Sequence, residues 1–171
     1  MEINESIVIG VSGASAQPLA ERTLQLLLQS QKKIHLILSK GAYEVWNSEI
    51  GIKVPLDPIN QENFWRKRLK INTGELTCYR WNDMSAVIAS GSYKTKGMVI
   101  VPCTMGKVAR ISSGISSDLI ERAADVHLKE SKPLLIAPRE SPLSLIHLRN
   151  LCKLSEAGAK IIPSIPAWYT Y

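Results

Sequence analysis

The sequence predicts an α/β protein built on an open, doubly wound, mostly parallel sheet in three layers. Three observations point there. Apolar runs at 7–11, 34–38, 98–101, 134–137 and 160–162 are bounded by turn residues and read as strands buried on both faces. Stretches with helical spacing at about 16–31, 40–50, 117–130 and 142–157 alternate with them. The chain has 171 residues, 45% of them hydrophobic, and no repeat or linker divides it, so one domain over 1–171 is expected.

Each element has local support. Residues 8–30, "VIGVSGASAQPLAERTLQLLLQS", pass from strand through a cluster of small residues into a helix. Ser39 can cap the next helix, and Gly51 can end it in the left-handed conformation. Residues 51–63, with Pro55 and Pro58, read as a loop, 63–70 as a short basic helix and 76–81 as an extra strand. Ser117, with Asp118 and Glu121 behind it, marks one helix start, and Ser141 before Pro142 marks the last.

Composition narrows the function classes. No apolar run approaches the roughly 20 residues of a membrane span, so no membrane partner is expected. The start, Met1-Glu2-Ile3-Asn4-Glu5, is acidic and unlike a secretory leader. Cys78, Cys103 and Cys152 form no CxxC, which favours reduced thiols and a cytoplasmic location. The net charge of +6 comes from scattered Lys and Arg without a nucleic-acid signature, so no nucleic-acid partner is expected.

In open α/β sheets ligands bind beyond the carboxyl ends of the strands, and four segments belong there. "SGAS", 12–15, is either a tight turn packed on a neighbour or a cradle of bare N–H groups and hydroxyls for an anion. It is no dinucleotide fingerprint, because Gly10, Gly13 and Ala16 do not give GxGxxG. The second strand ends in Ser39-Lys40 rather than a ribose-binding carboxylate, which argues against nicotinamide cofactors. Ser39 reads most simply as a cap and Glu49 as a solvated helix residue. In "VPCTMGKVARISSG", 101–114, Thr104, Gly106 and Lys107 offer a hydroxyl, bare backbone and charge; a loop before a capped helix explains them equally well. Cys103 reads as a buried structural thiol, since no histidine nearby in sequence could activate it. In "APRESPLSLIHL", 137–148, Arg139 and Glu140 either form a surface ion pair or face the crevice, the first for phosphate or a carbonyl and the second for proton transfer. Arg122, Asp125 and Lys129 share one helix face, as a solvated ion-pair row or as a basic rim for a second anion. His35, His127 and His147 lack ligand spacing, so no metal is expected; His147 reads as helix surface or packing.

"GVSGAS", "ILSKGA", "ASGSYKTKGMVIVPCTM", "LIERAADVHLKESKPLLIAPRESPLSLIHLRNL" and "GAKIIPSIPAWY" together resemble the flavin prenyltransferases of the UbiX type, also described as aromatic-acid or polyprenyl-hydroxybenzoate decarboxylases. The resemblance runs over about 7–169 and is most specific over 119–148. It implies a flavodoxin-like, Rossmann-related fold and FMN as flavin. It also implies a trimer-based homo-oligomer, commonly a dodecamer, with sites at subunit contacts. The implied reaction joins a dimethylallyl group from dimethylallyl monophosphate to N5 and C6 of reduced FMN, and the prenylated FMN passes to a UbiD-type decarboxylase.

Carried over by position, the resemblance implies that Gly13, Ala14, Ser15, Ser39, Thr104, Met105, Gly106, Lys107 and Arg139 hold FMN, with Ser90 near its rings. Arg122, Lys129 and Tyr169 would hold the prenyl phosphate. Glu140 would act as an acid for the departing phosphate, and Glu49, with Ser15, would handle proton transfer. Three departures stand out. Ala16 replaces a usual glycine, placing a methyl group beside the flavin or at a backbone position that prefers positive φ. Lys107 stands where Ser-x-x-Thr is usual, trading a hydroxyl for a charge. Family members also continue into a terminal helix bearing another phosphate-binding arginine, and this chain stops at Tyr171. Two rival readings therefore stay open: an FMN-binding paralogue without transfer activity, and an FMN-dependent decarboxylase acting alone.

Overall fold

The computed structural model describes residues 6–165. Six strands, β1 (Ser6–Val11), β2 (Lys33–Leu38), β3 (Glu75–Tyr79), β4 (Thr95–Cys103), β5 (Leu134–Pro138) and β6 (Lys160–Ile161), form one sheet in the order β3-β2-β1-β4-β5-β6. Every pairing is parallel. The chain winds outward from β1 to one edge and then returns to wind outward from β4 to the other. The C-terminal ends of β1 and β4 are therefore the place where adjacent connections part to opposite faces, the position at which such sheets bind ligands.

Side-chain alternation along the strands builds the three layers. On β1, Val8 points to one face and Ile9 and Val11 to the other. The first face is covered by α4 (Met105–Ser112), α5 (Leu119–Lys129) and α6 (Leu145–Glu156) through residues such as Val108, Ile120 and Leu154. The second is covered by α1 (Gln17–Gln29), α2 (Lys40–Glu49) and α3 (Pro58–Leu69) through Leu24, Trp46 and Trp65. Gly10 lets α5 sit directly on β1, since a Cβ there would lie 3.0 Å from Ile120 Cγ2.

Several expected boundaries move, each because a better cap wins. Residues 58–62 are helical, not loop: the Asp57 side chain accepts the Asn60 N–H at 3.0 Å, and Pro58 occupies the first turn. Residues 105–112 form α4 rather than a loop, with Thr104 as its cap. Helix α5 is capped by Asp118 instead of Ser117, through the Glu121 N–H at 3.0 Å. Helix α6 begins three residues beyond Pro142. Ser144 accepts from the His147 N–H at 3.2 Å while its own N–H donates to His147 Nδ1 at 3.3 Å, so His147 is a capping partner. Ser39 caps α2 and Gly51 takes φ 73°, both as expected. The strand read at 76–81 is β3, parallel to β2 at the sheet edge.

Candidate functional site

A cleft of about 480 Å³ opens where β1 and β4 end. Its near wall is the turn after β1, and one side chain locks that turn to the turn after β4. The Ser12 hydroxyl, buried, donates to the Pro102 carbonyl at 2.9 Å and accepts from the Thr104 N–H at 2.8 Å. Ser12 thus joins segments 92 residues apart in sequence, and its hydroxyl is committed to that joint rather than to a ligand.

The small residues of "SGAS" serve packing as well as access. A Cβ on Gly13 would come within 2.7 Å of the Gly41 carbonyl carbon, so the turn and the start of α2 touch through bare backbone. Ala16 has φ 81°, which resolves its departure from the usual glycine: the methyl group occupies a left-handed backbone position. Gln17, which the sequence reading missed, is fully buried and donates through Nε2 to the carbonyls of Ser12 and Ala14, both at 2.8 Å. The Ala14 side chain is buried, leaving its backbone as the part able to meet a ligand.

The far wall is the first turn of α4. The Thr104 hydroxyl accepts from the Lys107 N–H at 3.2 Å. Met105, in the turn expected to hold FMN, is 5% exposed and belongs to the core, which leaves its backbone as the part able to meet a ligand. The Lys107 charge, expected to be offered to an anion, is turned inward. Its ammonium is not free for an anion but is buried between Asp118 and Glu121, the latter at 2.7 Å. Glu121 is fully buried and also accepts from Arg110 Nε, the Ser117 hydroxyl and the Ser117 N–H, the last at 2.8 Å. Burial alone would raise the Glu121 carboxyl; the hydrogen bonds from Lys107, Ser117 and Arg110 outweigh it and hold the group down at about 2. Cys103 is buried, and burial pushes its thiol up to about 12, as befits a structural cysteine.

The remaining expected residues fall into two further groups. The Ser15 hydroxyl donates to Glu49 Oε1 at 2.6 Å, so the turn after β1 reaches the last residue of α2. Arg139 is fixed next to the Thr104 turn by its N–H, which donates to the Cys103 carbonyl at 3.2 Å; its side chain is exposed. Glu140 is exposed beside it, and the two form no ion pair with each other. Ser90, Arg122 and Lys129 gather elsewhere, off the cleft lining. Arg122 Nε donates to the Ala89 carbonyl at 3.1 Å and Nη1 pairs with Asp125 at 2.9 Å, while Lys129 pairs with Glu130. Ser90 shares a 2.9 Å contact with the Ser92 hydroxyl. Tyr169 lies outside the described residues.

Around the cleft stand the hydroxyls of Ser39 and Thr104, bare backbone at Gly13 and Gly41, the Lys40 ammonium and the Arg110 guanidinium. Such donors suit a phosphate monoester. A profile of the Flavoprotein family matches residues 1–169. The flavin prenyltransferase UbiX of Synechocystis sp. is 51% identical over 166 residues, covering 96% of this chain and 81% of that protein. The chain belongs to the UbiX-type flavin prenyltransferases. Among solved structures, this prenyltransferase is similar to AnUbiX (PadA1) in complex with FMN and dimethylallyl pyrophosphate, with TM-score 0.82, 38% identity, and 96% and 80% of the two chains covered. It is also similar to a dodecameric FMN-dependent UbiX-like decarboxylase from Escherichia coli O157:H7, with TM-score 0.82, 34% identity, and 96% and 82% covered. Lys40, Gly41, Trp81, Arg110 and Asp118 also line this prenyltransferase's cleft; Lys40 and Arg110 fall in segments expected at the crevice, whereas Gly41, Trp81 and Asp118 carried no local signal for it and are brought there only once the sheet is built.

Proposed function

We propose that this chain joins the dimethylallyl group of dimethylallyl monophosphate to N5 and C6 of reduced FMN, forming prenylated FMN. The observation that carries the proposal is the cleft at the β1/β4 switch point, where hydroxyls, bare backbone and cations converge on a space suited to a phosphorylated flavin tail. Gly13, Ala14, Ser39, Gly106 and Arg139 would hold FMN, Met105 and Lys107 contributing only through the backbone of their helix turn.

Transfer requires the allylic carbon to part from phosphate, which builds positive charge on carbon and negative charge on the leaving group. Cations and an acid are therefore needed at the phosphate, and water must be kept from the carbon. Arg122 and Lys129, with Tyr169, are proposed for the phosphate and Glu140 as the acid. Ser15 and Glu49 are proposed to move the proton lost when the new ring closes; their 2.6 Å hydrogen bond supports a shared role. Because Arg122 and Lys129 lie off the cleft, the full site is proposed to form between subunits of a trimer-based dodecamer. Exposed Leu145, Ile146 and Leu148 on α6, with Ile162 and Ile165, supply an apolar face for such contacts. Prenylated FMN would pass to a UbiD-type decarboxylase. Three free cysteines and the lack of a long apolar helix among the described residues support a cytoplasmic location.

Anaerobic incubation with reduced FMN and dimethylallyl monophosphate tests the proposal. A flavin heavier by one five-carbon unit is expected. Unchanged FMN would indicate a binding paralogue, and carbon dioxide released from an aromatic acid without a partner enzyme would indicate a decarboxylase.

A further inference from the structure

Arg110 stands on the wall of the cleft, one helical turn after Gly106. Helical side chains lean toward the N-terminus, so the guanidinium folds back over Gly106. A Cβ on that glycine would lie 3.6 Å from Nη1 and 3.9 Å from Nη2. The neck of the side chain is fixed, because Nε donates to Glu121 Oε1. Nη1 and Nη2 have no hydrogen-bond partner among the described residues, and the side chain is 42% exposed. An arginine held through Nε with both terminal nitrogens open is oriented before any ligand arrives, so little side-chain freedom remains to be lost on binding.

The charges around it favour an anion at those open nitrogens. Glu121 would neutralise Arg110 if the pair stood alone, but Glu121 Oε1 is shared with Lys107, which also meets Asp118. The two buried carboxylates are thus balanced by the Lys107 and Arg110 cations, and neither carboxylate is left uncompensated to repel a phosphate at the cleft. Lys40, on the same lining, has no salt bridge among the described residues. We propose that Arg110 is a further phosphate-binding residue of the cleft, its two terminal nitrogens presented to a phosphate monoester by the buried Lys107–Asp118–Glu121 network.

The proposal rests on the reading of the cleft as the flavin site. A phosphate monoester has two sources in the reaction, the tail of FMN and the prenyl donor. Titrations with FMN and with riboflavin, together with KM for dimethylallyl monophosphate at saturating FMN, separate them for the wild type, Arg110→Met and Arg110→Lys. In Arg110→Met the FMN Kd is expected to rise about tenfold with riboflavin unchanged, as for one lost charge-assisted contact. Arg110→Lys should recover part of the loss, since it keeps the charge and loses the fork. A rise in KM for the donor with FMN affinity intact would support the proposal and assign the donor's phosphate. Equal weakening of FMN and riboflavin, or no change in any of the three, would overturn it while wild-type FMN binding stands. Absence of FMN binding by the wild type would instead overturn the cleft reading itself, and the proposal with it.

Discussion

The hydroxyl of Ser15 donates to Oε1 of Glu49 at 2.6 Å, joining the turn after β1 to the end of α2 across 34 residues of sequence. A hydroxyl backed by a carboxylate can pass a proton in either direction, and neither residue alone signals that role. Glu49→Gln should slow prenyl transfer by about 10²–10⁴-fold, the usual range for a lost acid–base group. Ser15→Ala should cost a similar factor, and the double variant little more than either single one, because residues acting as a unit are not additive. Pre-steady-state transfer rates at saturating FMN check this; additive losses would separate the two residues.

Gly13 and Gly41 meet through backbone alone, so Gly13→Ala should open the cleft wall. Its Cβ would fall 2.7 Å from the Gly41 carbonyl carbon, against backbone that cannot swing aside. FMN affinity should fall more than tenfold, with a stability loss of about 1–3 kcal/mol typical of overpacking. Fluorescence titration with FMN and urea unfolding measure the two effects.

Ala16→Gly should stabilise the protein. An alanine at φ 81° bears a left-handed penalty of about 1–2 kcal/mol, partly offset by the greater unfolded-state freedom of glycine, about 0.5–1 kcal/mol. A rise in Tm of about 2–4 °C per kcal/mol is expected for a chain of this size, and a fall would show that the methyl group packs favourably.

Lys107→Met should destabilise by about 3–5 kcal/mol, because Asp118 and Glu121 lose the buried ammonium between them. Adding Glu121→Gln to this variant should recover part of the loss by removing one of the stranded charges. Urea unfolding of both variants tests the coupling; a Lys107→Met protein as stable as the wild type would contradict it.

Acid should weaken the fold in two stages. His35 is buried with hydrogen bonds to the Tyr79 hydroxyl at 2.9 Å and the Tyr93 hydroxyl at 2.8 Å; burial first, and then the Lys33 charge, lower it to about 4. The unfolded chain binds a proton at His35 below about pH 6.5 while the folded one refuses it until about 4, so stability present at neutral pH is lost as pH falls through that window, by up to about 3 kcal/mol. Glu121 adds a second loss from about 4.5 down to 2, since its folded carboxyl is held low. His127, buried and likewise lowered by burial, contributes to the first stage as well, so His35→Phe should reduce that stage without abolishing it in unfolding measured from pH 7.5 to 4.

The fold was largely legible in the sequence because continuous apolar runs such as 7–11 and 34–38 admit few alternatives to buried parallel strands. Helix starts were less so. Asp118 and Ser144 each cap where a nearby serine, Ser117 or Ser141, was an equally good candidate by type, and only tertiary position chooses between them, while Asp57 before Pro58 starts a helix in a stretch whose prolines read as loop. At the site, Ser12, Ser39 and Thr104 were found in the right segments, since turn chemistry is local. Gly13 answered to Gly41, and Lys107 turned inward to Asp118, because those choices depend on partners distant in the chain. Arg110 lay inside the 101–114 segment expected at the cleft, but its type alone did not set it apart from Lys107 until the sheet brought it to the cleft wall.

A crystal structure of the protein soaked with FMN tests the central claim most directly. The flavin phosphate is expected in the cleft at the ends of β1 and β4, among Gly13, Ser39, Thr104 and Arg110. A flavin seated on another face, with those residues unchanged and untouched, would contradict it.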